Sequence, residues 1–132
     1  MVAGSGPLLA PVAQRCTVVP GDFFRSVPAG ADTYLLKLVL HDWDDARAGR
    51  ILHNIRDGIT PDGRLVIMEA VMPPGDGYHH AKFLDLNMLV LAEGGRERTE
   101  EEYRRLLDQA GFDIARTVAT ASPLSVIEAV PR

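Results

Sequence analysis

Hydrophobic and polar positions follow two different periods along this chain, and the switches between them mark its elements. Thr33 to Leu40 is almost continuously apolar, the pattern of a strand buried on both faces of a parallel sheet. The period then lengthens: Ala48, Ile51, Leu52, Ile55 and Ile59 recur at helical spacing, which predicts an amphipathic helix. Asp44 or Asp45 can cap it, and Gly58 followed by Pro61 stops it. Asp62-Gly63 turns the chain into a second strand, Arg64 to Val71, with an apolar centre.

Met72 to His80 reads as a Pro/Gly/His loop, and Phe83, Leu84, Met88 and Leu91 suit a helix from Ala81 to Leu91. Glu93 to Arg98 reads as a polar loop broken by Gly94-Gly95. Thr99 and Glu102 have the spacing of a capping box, with Thr99 at N-cap and Glu102 three residues on. Tyr103, Leu106, Leu107 and Ala110 make the buried stripe of that helix, which Gly111 ends. Two closing strands follow, near Phe112 to Ala119 and Leu124 to Val130. Ahead of all this lie a weak helical stripe through Leu8, Leu9 and Val12 and a short β-branched run, Cys16 to Val19. Strands alternating with helices predict an α/β domain with a mostly parallel sheet.

Composition narrows the function classes. A chain of 132 residues with 46% hydrophobic and 24% charged content is that of one ordinary globular domain. The net charge of −4 offers no basic footprint for nucleic acid or anionic membrane. No apolar run approaches the ~20 residues of a membrane span. A single cysteine, Cys16, excludes an internal disulfide, favours a reducing, cytoplasmic setting, and by default is a small buried apolar residue.

Candidate chemistry collects at the carboxyl ends of the predicted strands, where open α/β sheets bind ligands. Gly21-Asp22-Phe23 follows the first run: Asp22 could accept hydrogen bonds from a ribose or an adenine amino group, with Phe23 against the base, or the three could be only a turn. His41, Asp42 and Trp43 end the long run. Imidazole has the free pKa nearest neutrality, so His41 is a candidate general base; the alternative is that Asp42 to Asp45 merely cap the next helix. Glu69 ends the second strand and Glu97 follows Gly94-Gly95; a carboxylate beside an imidazole fixes its tautomer and stabilises the imidazolium. Glu97 by itself reads as a solvated loop charge. Lys37 is a cation inside an apolar run, either snorkelling or near a ligand. His53 and His79-His80 lack partners at metal-ligand spacing, so no metal is expected. Gly4-Ser5-Gly6 is no nucleotide fingerprint.

Taken in order, several of these pieces resemble a family. They are Gly21-Asp22-Phe23-Phe24, Leu36-Lys37 through His41-Asp42-Trp43, Gly63-Arg64-Leu65 through Glu69, Leu84-Asp85-Leu86-Asn87-Met88, Gly94 through Thr99, and Ala110-Gly111-Phe112. The chain resembles the S-adenosylmethionine-dependent small-molecule O-methyltransferases of plant phenolic and bacterial antibiotic pathways. The resemblance implies a partial Rossmann-like sheet, mostly parallel with an antiparallel closing strand, and helices on both faces. It implies methyl transfer to a hydroxyl of a small aromatic or polyketide-like molecule, with His41 as base flanked by Glu69 and Glu97. Asp22, Phe23 and Lys37 would line the S-adenosyl-L-methionine site, and Trp43 and Met88 the acceptor pocket. A homodimer is expected of a full-length form.

The family's glycine-rich strand-turn-helix and N-terminal helical domain have no counterpart here. Residues 1–132 are therefore expected to be a truncated catalytic domain with an exposed sheet edge, incomplete as an isolated chain. Two alternatives stand beside this expectation. One is a non-catalytic remnant or interaction module with the same fold; the other is a decarboxylase or hydroxylase using the same pocket, against which the intact His41, Glu69 and Glu97 set argues.

Overall fold

Four strands make the main sheet of the computed structural model, which describes residues 10–132. They are β1 (Thr33–Lys37), β2 (Arg64–Glu69), β5 (Phe112–Ala119) and β6 (Ser125–Pro131), in the spatial order β1-β2-β6-β5. β1 runs parallel to β2, while β6 is antiparallel to both of its neighbours. Three strands thus point one way and β6 is reversed, as expected for a mostly parallel sheet with an antiparallel closing strand. β3 (Val71–Met72) and β4 (Arg98–Thr99) form a separate parallel pair. Leu8, Leu9 and Gly4-Ser5-Gly6 lie outside the described residues; Val12 ends a single 3₁₀ turn, Ala10–Val12.

The core forms where helical and strand periodicities meet. α1 (Asp45–Gly58) buries Ala48, Ile51, Leu52 and Ile55, and α3 (Glu100–Gln109) buries Tyr103, Leu106 and Leu107. Both stripes pack against Leu65 and Ile67 of β2 and Ile127 and Ala129 of β6, on one face of the sheet. Full burial of such side chains contributes about 1.5–3 kcal/mol each. Asp44 caps α1, its Oδ1 accepting from the Arg47 amide at 2.8 Å. The capping box of α3 forms as its spacing predicts: the Thr99 hydroxyl accepts from the Glu102 amide and the Glu102 carboxylate from the Thr99 amide.

Five local expectations are corrected. Cys16 to Val19 is no strand: the segment joins no ladder, and Cys16 is a free, exposed thiol. An extended segment becomes a strand only by pairing, and among the described residues β1 pairs only with β2. β1 is also not buried on both faces: Thr33, Leu35 and Lys37 form an exposed face, Leu35 at 60%, while Tyr34 and Leu36 on the other are half-buried. The strand predicted for Arg64 to Val71 breaks at Ala70, and Val71-Met72 leaves to pair with β4. α2 (His80–Leu91) buries Ala81 and Met88 but leaves Phe83 and Leu91 exposed, since nothing described packs on that side. Helices α1 and α3 share one face; the other carries Val66, Met68 and Val126 half-buried, with Glu128 between Arg64 and Arg116.

Candidate active site

The site begins with a change of direction after β1. Leu38 takes φ +54°, a left-handed conformation that costs a non-glycine residue about 1–2 kcal/mol. It swings the chain out of the strand into a 3₁₀ turn, Leu40–Asp42, which carries His41. Glu69 holds this bend from below. It ends β2 on the face that buries Leu65 and Ile67, and its Oε1 accepts from the Val39 and Leu40 amides, both at 2.9 Å. A side chain thereby satisfies two amides that the bend leaves without backbone partners.

His41 Nδ1 lies 3.0 Å from Glu97 Oε1 and 3.7 Å from Glu69 Oε2. Its Nε2 faces Asp42 Oδ1 at 3.4 Å, and the side chain is 12% exposed. Glu69 and Glu97 are 0% and 1% exposed, so the loop from Glu93 to Arg98 is not the solvated segment its polarity suggests. Gly95 lets this loop approach: a Cβ there would stand 2.7 Å from the His41 carbonyl, and the next amide, Arg96, donates to that carbonyl at 2.8 Å. The Glu97 amide in turn donates to Asp85 Oδ1 of α2 at 2.8 Å.

Charges in this cluster shift one another. The Glu97 hydrogen bond, opposed by burial and helped by the charges of Glu69, Glu97 and Asp42, raises His41 above the ordinary histidine value. Burial raises Glu69 above the usual carboxylate range, against the pull of His41 and the two amides. A hydrogen bond from Nδ1–H to Glu97 leaves Nε2 with the free lone pair, the form of a poised base. The three residues place one ligand atom each within 4.8 Å of one another, but the histidine nitrogen nearest both carboxylates is the one bonded to Glu97.

A second cluster is aromatic. Trp43 packs edge-to-face on Phe24 at 4.8 Å and on Phe23 at 6.3 Å between ring centroids, with the Arg47 guanidinium over its ring at 5.2 Å. Asp22 sits in an exposed turn, its Oδ1 accepting from the Phe24 amide at 2.9 Å, and Asn54 of α1 donates to the Phe23 carbonyl at 2.7 Å. Lys37 ends β1 at an exposed position, and Met88 is buried in α2. Neither makes a side-chain hydrogen bond or ion pair with the two clusters. Reading the sequence passed over Arg98, Asp85, Gly95 and Tyr103 as site-building residues. The available signal was Arg98 itself, a cation directly following Glu97.

Residues 3–113 match the model of the O-methyltransferase domain family, and the chain belongs to that family. Phenazine O-methyltransferase PhzM of Lysobacter antibioticus is 47% identical over 129 residues, covering 98% of this chain and 38% of that protein. The crystal structure of LaPhzM superposes with a TM-score of 0.93 at 45% identity, over 99% of this chain and 40% of that one. An O-methyltransferase from neocarzinostatin biosynthesis, solved with S-adenosylmethionine and 2-hydroxy-5-methyl naphthoic acid, gives 0.86 at 32% identity, covering 99% and 38%. The chain thus spans about two-fifths of the length of these relatives. The residues present fit part of such a cofactor: Phe23 is an exposed aromatic ring, and Asp22 beside it an exposed carboxylate whose Oδ2 is outside any hydrogen bond, 3.9 Å from Arg25 Nε.

Proposed function

We propose that this chain is the base-bearing part of an S-adenosylmethionine-dependent O-methyltransferase acting on a hydroxyl of a small aromatic or polyketide-like molecule. The observation that carries the proposal is the His41–Glu97 hydrogen bond at 3.0 Å, which leaves Nε2 of a slightly exposed imidazole, beside Asp42, to take a proton from an acceptor hydroxyl. Asp22, Phe23 and Lys37 would hold the cofactor, and Trp43 and Met88 would shape the acceptor pocket. Bound, the cofactor supplies an electrophilic sulfonium methyl group.

The chain's own residues manage the proton. His41 Nε2 takes it from the acceptor hydroxyl, and Glu97 and Glu69 stabilise the imidazolium that forms. A phenol near pKa ~10 and an imidazole near ~6.5 leave complete transfer uphill by roughly 5 kcal/mol. The carboxylates narrow that gap by raising His41, and proton removal concerted with attack reduces it further. Alignment of the reacting atoms carries much of the remaining barrier. The scheme needs no metal. The relatives' biosynthetic names and the naphthoic acid ligand of one of them support a planar aromatic acceptor. No described helix is long and apolar enough to cross a membrane. The single cysteine, free and exposed, favours a reducing, cytoplasmic setting. The exposed apolar side of α2, with Phe83, Leu86, Leu89 and Val90, favours a homodimer of the full-length form.

Calorimetric titration of S-adenosylhomocysteine into the chain and into His41→Ala tests the cofactor half of this reading. Binding by both is the expected result; in the full-length form, methyl transfer to hydroxylated aromatics is then lost only in the variant. Absence of binding to a chain that is folded by circular dichroism would overturn the assignment of Asp22, Phe23 and Lys37.

A further inference from the structure

Arg98 is the largest fully buried side chain of the molecule's described residues, at 0% exposure, and a buried guanidinium demands a reason. Its hydrogen bonds supply one. Nη1 donates to the Leu40 carbonyl and Nη2 to the Trp43 carbonyl, each at 2.8 Å, the residues on either side of His41-Asp42. Nε and Nη2 both donate to Asp45 Oδ1, at 3.0 and 2.8 Å, where α1 begins. The same backbone places Glu97 on His41 Nδ1, one residue earlier. One short segment therefore grips the histidine turn twice, through the imidazole and through the carbonyls that flank it.

We propose that Arg98 is a positioning residue: its planar fork holds the Leu40–Trp43 turn in register with Glu97, so that His41 stays in the Nδ1–H tautomer with Nε2 free. Lysine cannot do this, because one ammonium on a flexible stem does not reproduce a rigid array of five donors aimed at two carbonyls and a carboxylate. The inference rests on the reading of His41 as the base, and its test reads the imidazole rather than turnover. The groups facing that imidazole are Glu69 from β2, Glu97 from its loop and Asp42 from the same turn. Behind them stand Asp85 of α2, bonded to the Glu97 amide, Asp45 on Arg98, and the Tyr103 hydroxyl of α3. That hydroxyl is buried, unpartnered, and under the influence of Glu69, Arg98 and Glu97.

Imidazole ¹⁵N spectra of the full chain across a pH titration, for wild type and Arg98→Lys, decide the matter. Wild type is expected to show the Nδ1–H tautomer above its midpoint. Arg98→Lys, with the charge kept, is expected to show a mixture of tautomers and a midpoint moved down toward the ordinary histidine value. A wild-type tautomer and midpoint in a folded Arg98→Lys would overturn the proposal, since Arg98 would then act by charge alone; so would an Nε2–H tautomer in wild type. Should Arg98→Lys not fold, Asp45→Asn loosens the same clamp from its exposed end. A mixture of tautomers is expected there too, and a pure wild-type tautomer would overturn the inference. In the full-length form, expected tautomers together with a His41→Ala rate equal to wild type would remove the base reading while leaving the role of Arg98 intact.

Discussion

Glu97 Oε1 stands 3.0 Å from His41 Nδ1 across 56 residues of chain. The pair joins a turn after β1 to a loop before β4, and both ends are held by backbone bonds: Arg96 amide to His41 carbonyl, Glu97 amide to Asp85. The orientation of the imidazole is therefore a property of two segments gripping each other, and its consequences are measurable.

The first concerns pH. His41 is raised above 6.5, chiefly by the Glu97 hydrogen bond. A base works in its neutral form, so methyl transfer should climb as pH rises through a midpoint above the ordinary value. Stability runs the opposite way. A folded-state pKa raised above the unfolded one gives a contribution fully present below about pH 6.5 and lost as pH rises through the folded midpoint. Glu69, also raised, subtracts stability with the same sign in a window starting lower, near the ordinary carboxylate value. Thermal melts of wild type and His41→Gln from pH 5 to 9 should converge as pH increases; parallel melting curves would contradict the pairing.

Removing the base should leave the fold. In the full-length form, His41→Ala is expected to lower kcat about 10²–10⁴-fold, the usual worth of general base catalysis, while the calorimetric affinity for S-adenosylhomocysteine stays close to wild type. A rate within threefold of wild type would show that the proton leaves by another route.

Glu69 has a structural duty that its charge does not describe. Truncation in Glu69→Ala strands the half-buried Val39 amide and the buried Leu40 amide, a loss of about 2–4 kcal/mol from orphaned donors. Glu69→Gln keeps an amide oxygen in place and should retain most of that stability while lowering the His41 midpoint. Urea denaturation of the two variants separates the roles; equal stability of both would mean that the amides find other partners.

Gly95 is the point of closest approach. A Cβ there would lie 2.6 Å from Ala92 Cβ and 2.7 Å from the His41 carbonyl, and the second neighbour is backbone that cannot yield cheaply. Gly95→Ala should push the loop off the turn, lowering stability by about 1–3 kcal/mol as overpacking does and weakening the His41–Glu97 bond. An unchanged His41 titration in this variant would show that the loop has slack.

Much of this architecture is written in local patterns. The helical stripe of Ala48, Ile51, Leu52 and Ile55, the Thr99–Glu102 capping box and the apolar centre of β2 are set by neighbours within a turn or a strand. Local geometry is enough to decide them. His41 and Glu69 were legible for a related reason: each stops an apolar run at a strand's end, where a parallel sheet exposes its chemistry. The family motifs added Glu97, which by spacing alone is a loop charge.

Other features depend on which segments meet, and no window of sequence contains that. Cys16 to Val19 has strand composition but no partner to pair with, so it joins no ladder; β1 is exposed on its Leu35 face because no described segment covers it. Ala70 divides one apolar run between two sheets because Arg98 and Thr99 wait beside Val71 and Met72. The burial of Glu97 and Arg98 is likewise a tertiary fact. Their polarity predicts solvent, and only a turn offering an imidazole on one side and two free carbonyls on the other makes burial affordable. Sequence by itself set out most of the elements and offered His41 as a candidate base; the folded chain alone decided which charges surround it.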